Sequence, residues 1–130
     1  MNQQAQQLYL RTQVSTAAPG ELTLLLFNGC IKFMKQAQEA LVAKNYNEKN
    51  VNLKKAQDII DELIITLNMD YEISKNLKML YVFIKEQLFE ANFKLNLECL
   101  ETSISLVTEL RDTWVEALKI LKNKATTVVG

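Results

Sequence analysis

The chain has 130 residues, of which 48% are hydrophobic and 23% charged, and its 15 basic side chains are balanced by 15 acidic ones. This length favours one domain with a single core. Zero net charge argues against binding to nucleic acid or to an anionic membrane, because both normally use a positive field. Three glycines, one proline and the lack of short β-rich runs argue against strands, so the composition predicts long helices.

Residues 1–18 are polar and rich in glutamine. We expect a flexible arm here, because so few apolar side chains do not support a packed element. The arm does carry a small apolar set that is able to dock weakly on the rest of the chain, namely Leu8, Tyr9, Leu10 and Val14.

The first predicted helix begins at Pro19, because proline suits the first helical turn, where its missing N–H is not needed. Gly29 in mid-helix costs about 1 kcal/mol relative to alanine, which indicates that another helix crosses closely at that point. Apolar residues at helical spacing form a core-facing stripe of Leu22, Leu26, Gly29, Cys30, Phe33, Ala37, Ala40 and Leu41.

The second predicted helix runs from about residue 48 to residue 67, after a polar connection at residues 45–47. Ile65 falls among acidic side chains and is expected to be exposed, while Ile64 borders both sides. Lys49 and its neighbouring lysines alternate with acidic residues, which predicts a solvated face. The inward positions are Val51, Ala56, Ile59, Ile60, Leu63 and Leu67.

The third predicted helix spans residues 71–96 and carries more apolar surface than one helix needs for its own burial. One stripe is complete by itself, with Ile73, Leu77, Leu80, Tyr81, Ile84, Leu88, Ala91 and Leu95 at helical spacing. Further bulk lies on other sides, at Met79, Val82, Phe83, Phe89 and Phe93. A helix that is apolar nearly all round is either central in its domain or covered by another chain.

The fourth helix is predicted to follow a break at Asn96, with a stripe of Leu100, Ile104, Val107, Leu110, Trp114, Ala117, Leu118 and Leu121. Residues 124–130 lose this periodicity and are expected to form a disordered tail. Short connections make successive helices antiparallel. The sequence therefore predicts an all-α fold, an antiparallel up-down four-helix bundle over residues 19–123.

The chain contains no histidine, which removes the usual general base, the common nucleophile pairs and the imidazole metal ligand. No catalytic, metal or cofactor site is predicted, and the acidic pairs are interpreted as solvated helix faces. Cys30 and Cys99 lack a C-x-x-C spacing and are interpreted as reduced, buried residues. The longest apolar run, residues 22–27, is too short to cross a membrane. Trp114 and Tyr81 are expected to pack in the core with hydrogen-bonded polar tips.

Several blocks resemble the FliS flagellar export chaperones in register from Tyr9 to about Leu118. They are residues 14–29 (VSTAAPGELTLLLFNG), residues 55–63 with 66–68, residues 76–77, 80–81 and 88–92, and Arg111-Asp112 with Trp114. Phe27 stands where tyrosine is commoner in the family, and Asn96 stands where the third helix usually ends in aspartate.

The resemblance implies a cytosolic chaperone for flagellin, the filament subunit. Such proteins bind the disordered C-terminal segment of flagellin, whose helices wrap around the bundle, and thereby prevent premature polymerisation. The complex is then presented to the type III export gate, with FlhA as the expected docking partner. The arm, with Leu8, Tyr9, Leu10 and Val14, is expected to cover part of the groove when no client is bound.

The expected client-binding residues combine the surplus apolar side chains with two amides that are poor helix formers, Asn76 and Asn92. They are Ile60, Ile64, Ile65, Asn76, Leu77, Met79, Leu80, Val82, Phe83, Phe89, Asn92 and Phe93. The alternative is a homo-oligomeric helical scaffold or adaptor that buries the same surface against itself. The expected state of the protein is a monomer or a weak homodimer.

Overall fold

Four helices make up the part of the chain that the computed structural model describes, which is residues 19–129, with side chains over residues 20–124. They are α1 (Pro19–Val42), α2 (Tyr46–Ile65), α3 (Glu72–Lys94) and α4 (Leu97–Val129). Both α1 and α3 pack against α2 and α4, so the four rods close into a ring. The predicted antiparallel up-down bundle is confirmed. Leu8, Tyr9, Leu10 and Val14 lie outside the described residues.

Local signals in the sequence set the helix boundaries. α1 is described from Pro19 onward, and α2 begins after Asn45, whose Oδ1 accepts a hydrogen bond from the backbone N–H of Glu48. α3 stops at Leu95, which adopts a left-handed conformation with φ of 54°. Asn96 then caps α4, because its Oδ1 accepts from the backbone N–H of Cys99 at 3.2 Å. The predicted break at Asn96 is therefore confirmed.

The core receives buried apolar side chains from all four helices, and α1 and α2 share the most extensive interface. A Cβ added at Gly29 would lie 3.3 Å from Ile59 Cδ1, so the glycine allows the close crossing that the sequence predicts. The fully enclosed members include Phe27, Met34, Leu53, Ile60, Leu63, Ile84, Leu88, Leu100 and Val107.

Trp114 joins α4 to the beginning of α1. Its Nε1 donates a hydrogen bond to the carbonyl of Gly20 at 2.7 Å, and its ring meets Phe27 edge to face with centroids 6.3 Å apart. One turn further along α4, Leu118 Cδ2 lies only 2.7 Å from the position of a Cβ at Gly20. The predicted hydrogen bond of the Trp114 indole N–H is confirmed. A larger residue at position 20 would clash with the side chain of Leu118.

Some predicted positions differ in the structure. Ile73 is 66% exposed although it was assigned to the core stripe, and Ser74 is buried in its place. Leu95 and Leu121 are also exposed. Lys49 is buried rather than solvated, because α3 covers it and its Nζ donates to the carbonyl of Asn92. The helix α4 is described to Val129, and the disordered tail over residues 124–130 stays a prediction.

Candidate functional site

Five large apolar side chains form what we call the outer stripe, on the face of α3 that points away from the bundle. Met79 and Phe93 are 72% and 75% exposed, and the members between them are at least 40% exposed. Core contacts cannot account for these residues, because α3 already buries a separate set at Tyr81, Ile84, Leu88 and Ala91. The outer stripe consists of Met79, Val82, Phe83, Phe89 and Phe93.

Spacing explains why both faces are apolar. A helical residue advances by about 100°, so members separated by three, four or seven positions share a face. Residues 79, 82, 83, 86, 89 and 93 follow this rule, and only Glu86 is charged among them. This is the heptad pattern of a helix that packs against another helix. α3 thus carries a second helix-packing surface directed at solvent.

An aromatic pair dominates the C-terminal half of the outer stripe. The rings of Phe89 and Phe93 are nearly parallel, with an interplanar angle of 5° and centroids 6.0 Å apart. Phenylalanine has no polar atom, so exposing these two rings costs free energy that only a covering surface recovers. A flat aromatic surface of this kind suits the apolar side of an incoming helix.

The neighbouring edge of α2 is joined to α3 beside the outer stripe. Lys85 Nζ and Asp61 Oδ1 form an ion pair at 2.6 Å between the two helices, with both side chains partly exposed. Ile65, near the end of α2, is 73% exposed as the sequence predicts. A ligand on the outer stripe therefore also meets the edge of α2 that carries Asp61 and Ile65.

Not every predicted client-binding residue reaches the surface. Ile60 is fully enclosed in the core, because it shares the inner face of α2 with Ala56 and Leu63. The sequence prediction that Ile60 binds the client is therefore corrected: Ile60 is a core residue. Three further members are half-buried and pack against the core at its margin, namely Ile64, Leu77 and Leu80.

The two predicted asparagines have different surroundings. Asn76 is exposed at the N-terminal side of the outer stripe. Asn92 instead faces α2, where Lys49 Nζ donates to its backbone carbonyl at 3.1 Å. The Oδ1 of Asn92 is buried and lacks a hydrogen-bond partner among the described residues. In this conformation Asn92 is half-buried, and its buried amide oxygen is not presented to a ligand.

Sequence reasoning missed the connection between α2 and α3. Met69, Tyr71 and Ile73 are all exposed there and extend the apolar surface toward the start of α3. Periodicity alone placed Ile73 inside. No local signal separates Ile73 from the core positions, since its neighbour Ser74 in the same first turn is buried.

The titratable groups give no support to catalysis. Burial raises the pKa of the Cys30 thiol to about 12 and the pKa of Tyr81 to about 12, so both stay protonated at neutral pH. Over residues 19–129, no three acidic or cysteine side chains gather into a candidate metal site. The described helices also include none that is long and apolar enough to span a bilayer.

A family model described as flagellar protein FliS matches residues 1–121. The chain belongs to the FliS family. It is 41% identical over 111 residues to the flagellar secretion chaperone FliS of Bacillus subtilis, covering 85% of this chain and 84% of that protein. It is 33% identical over 105 residues to the FliS of Vibrio cholerae, covering 79% and 77%.

A solved structure described as a flagellar chaperone from bacteria has the same fold, with a TM-score of 0.73 at 24% sequence identity. It matches over 89% of this chain and 96% of that one. Family and relatives together confirm the predicted class, a chaperone of flagellar secretion and not an enzyme.

Proposed function

We propose that this FliS-family chain binds the C-terminal helical segment of flagellin on the outer stripe of α3 and the adjoining edge of α2. The observation that carries the proposal is the second helix-packing face of α3, with five large apolar side chains exposed in a row. Amphipathic helices bind grooves and stripes of this kind through residues at i, i+3, i+4 and i+7. Covering that segment keeps flagellin from polymerising before export.

Energetics favour an apolar contact for such a client. Ordering a flexible segment costs about 2–5 kcal/mol, and burial of apolar surface returns roughly 25 cal/mol per Å². Phe89 and Phe93, which are 59% and 75% exposed, together still offer on the order of 200 Å² for burial. The outer stripe is therefore large enough to offset the ordering of one client helix.

Export is the second half of the proposed function. The chaperone with its client is presented to the export gate in the cytoplasm, with FlhA as the gate component that it contacts. Before the client arrives, the arm with Leu8, Tyr9, Leu10 and Val14 covers part of the apolar surface, which limits aggregation. The working unit is a monomer that carries one client segment.

Calorimetry with a peptide of flagellin's last helical segment tests the proposal. Phe89→Asp and Phe93→Asp are each expected to weaken binding at least tenfold while the melting temperature stays nearly constant, because both rings are exposed. Ile120→Asp on α4 is the matched control, since Ile120 is also an exposed apolar residue but lies off the stripe. No binding by the unaltered chain, or equal losses in the control, contradicts the proposal.

A homo-oligomeric scaffold is the second candidate, and the same exposed stripe supports it, because two copies of α3 are able to cover each other. Sedimentation velocity separates the two candidates. A stable dimer that Phe93→Asp dissociates, together with no affinity for the flagellin peptide, favours the scaffold. A monomer that binds the peptide one to one favours the chaperone.

A further inference from the structure

Two unpaired charges of opposite sign lie on the solvent-facing side of α3, Lys78 beside the outer stripe and Glu86 within its heptad row. Lys78 and Glu86 line one shallow depression together with Met79, Val82 and Phe83. Neither charge has an ion pair or a hydrogen bond to the described part of the chain. Two other lysines of α3 differ in this respect, since Lys85 pairs with Asp61, and Lys94 pairs with Glu90 at 3.0 Å.

The positions of these charges are fixed by the helix. Lys78 and Glu86 are eight positions apart in the sequence, which places them about 12 Å apart along the helix axis at 1.5 Å per residue. A helix packed alongside presents its own residues at the same rise. Its side chains seven or eight positions apart therefore reach both charges at once.

We propose that the helix bound on the outer stripe carries an acidic residue opposite Lys78 and a basic residue opposite Glu86, about two turns apart. This inference rests on the proposed function and specifies the chemistry of the client segment. Opposite charges that face each other across the contact add modest affinity and fix the register, and like charges suppress wrong partners. The apolar contacts provide most of the affinity for the bound helix, and the two charges determine its register along α3.

Charge reversal tests the inference with the flagellin peptide as probe. Lys78→Glu and Glu86→Lys are each expected to weaken binding about three- to tenfold at low salt and less at high salt, because exposed pairs are weak and screened. Lys35→Glu and Glu39→Lys serve as matched controls, since both side chains are exposed on α1. These controls are expected to leave the affinity unchanged.

A second peptide, with its acidic and basic residues exchanged, provides the rescue. It is expected to bind the Lys78→Glu, Glu86→Lys double variant more tightly than it binds the unaltered chain. If the unaltered chain binds the flagellin peptide but charge reversal matches the controls, the charge inference fails while the proposed function stands.

If the flagellin peptide does not bind at all, the proposed function fails, and designed amphipathic helices then test the charges alone. They carry the acid and the base two turns apart in either order. If neither designed helix binds more tightly than a peptide with both charges removed, the inference is overturned as well.

Discussion

At the scale of single residues, the buried thiol of Cys30 couples stability to alkaline pH. The thiol is fully enclosed against the carbonyl of Ala56, and burial raises its pKa from 9.0 to about 12. Between these values the unfolded chain releases the proton and the folded chain keeps it. Folding stability contributed by the thiol is therefore complete below pH 9 and is lost as pH rises, by up to about 1.4 kcal/mol per pH unit.

Urea unfolding of the Cys30→Ala variant isolates this effect. The variant loses stability at neutral pH through a small cavity, but its deficit relative to the unaltered chain is expected to shrink from pH 9 to pH 11. Tyr81 and Lys49, whose pKa values are raised and lowered by burial, titrate equally in both chains and cancel. Cys99→Ala is the control variant. If the stability deficit of Cys30→Ala stays constant from pH 9 to pH 11, the prediction is contradicted.

Trp114 provides a second prediction at this scale. Trp114→Phe keeps an aromatic ring near Phe27 but removes the Nε1 hydrogen bond to the Gly20 carbonyl. The expected loss is about 1 kcal/mol of unfolding free energy. Trp114→Ala, which also removes the ring contact, is expected to lose about 3–5 kcal/mol in the same urea titration. Equal losses in the two variants would mean that the hydrogen bond dominates the contact.

At the scale of helices, the end of α3 contains strain that a substitution relieves. Leu95 has a φ of 54°, a left-handed conformation that disfavours side chains with a Cβ. Its side chain is exposed, so Leu95→Gly sacrifices little packing. We expect the unfolding free energy to rise by about 0.5–1 kcal/mol.

The neighbouring residue gives the control for this prediction. Lys94 is still helical, and Lys94→Gly is expected to lower stability by roughly 1 kcal/mol. Thermal unfolding of the two variants should thus shift in opposite directions. A shift downward for both would show that the side chain of Leu95 contributes more than its backbone strain costs.

Helix boundaries were predictable because short-range chemistry sets them. Asn96 acts within one turn of its own position, and the structure confirms the predicted break there. The inward and outward faces of α3 were less predictable, because a helix that is apolar nearly all round can pack on the core in more than one orientation. Ile73 was placed inside and Ser74 was overlooked for this reason. Only the positions of α2 and α4 decide between the two faces.

The same limit explains the mixed outcome at the candidate site. The exposed positions of Ile65, Phe89 and Phe93 agree with the sequence prediction, yet Ile60 belongs to the core. Burial of Lys49 depends on the carbonyl of Asn92, a partner 43 residues away. Periodicity describes one helix at a time and carries no information about such a distant partner.

At the scale of the whole molecule, the four helices contribute unequally to the fold. The α1–α2 interface is the most extensive, while α3 contacts α2 and α4 over smaller areas. Much of the apolar surface of α3 also faces solvent in the outer stripe. Regions with fewer buried contacts open locally at lower free energy than the rest of a domain. We therefore infer that α3 is the least stable helix of the bundle.

Native-state hydrogen exchange measures this difference. Amides of α3 around Met79 and Val82 are expected to exchange at least tenfold faster than core amides of α1 around Cys30, which open only with global unfolding. Adding the flagellin peptide should slow exchange in α3 and leave α1 nearly unchanged, because the client covers only the former. Equal protection of α1 and α3 in the free chain contradicts the prediction, since it would mean that the ring of helices opens as one cooperative unit.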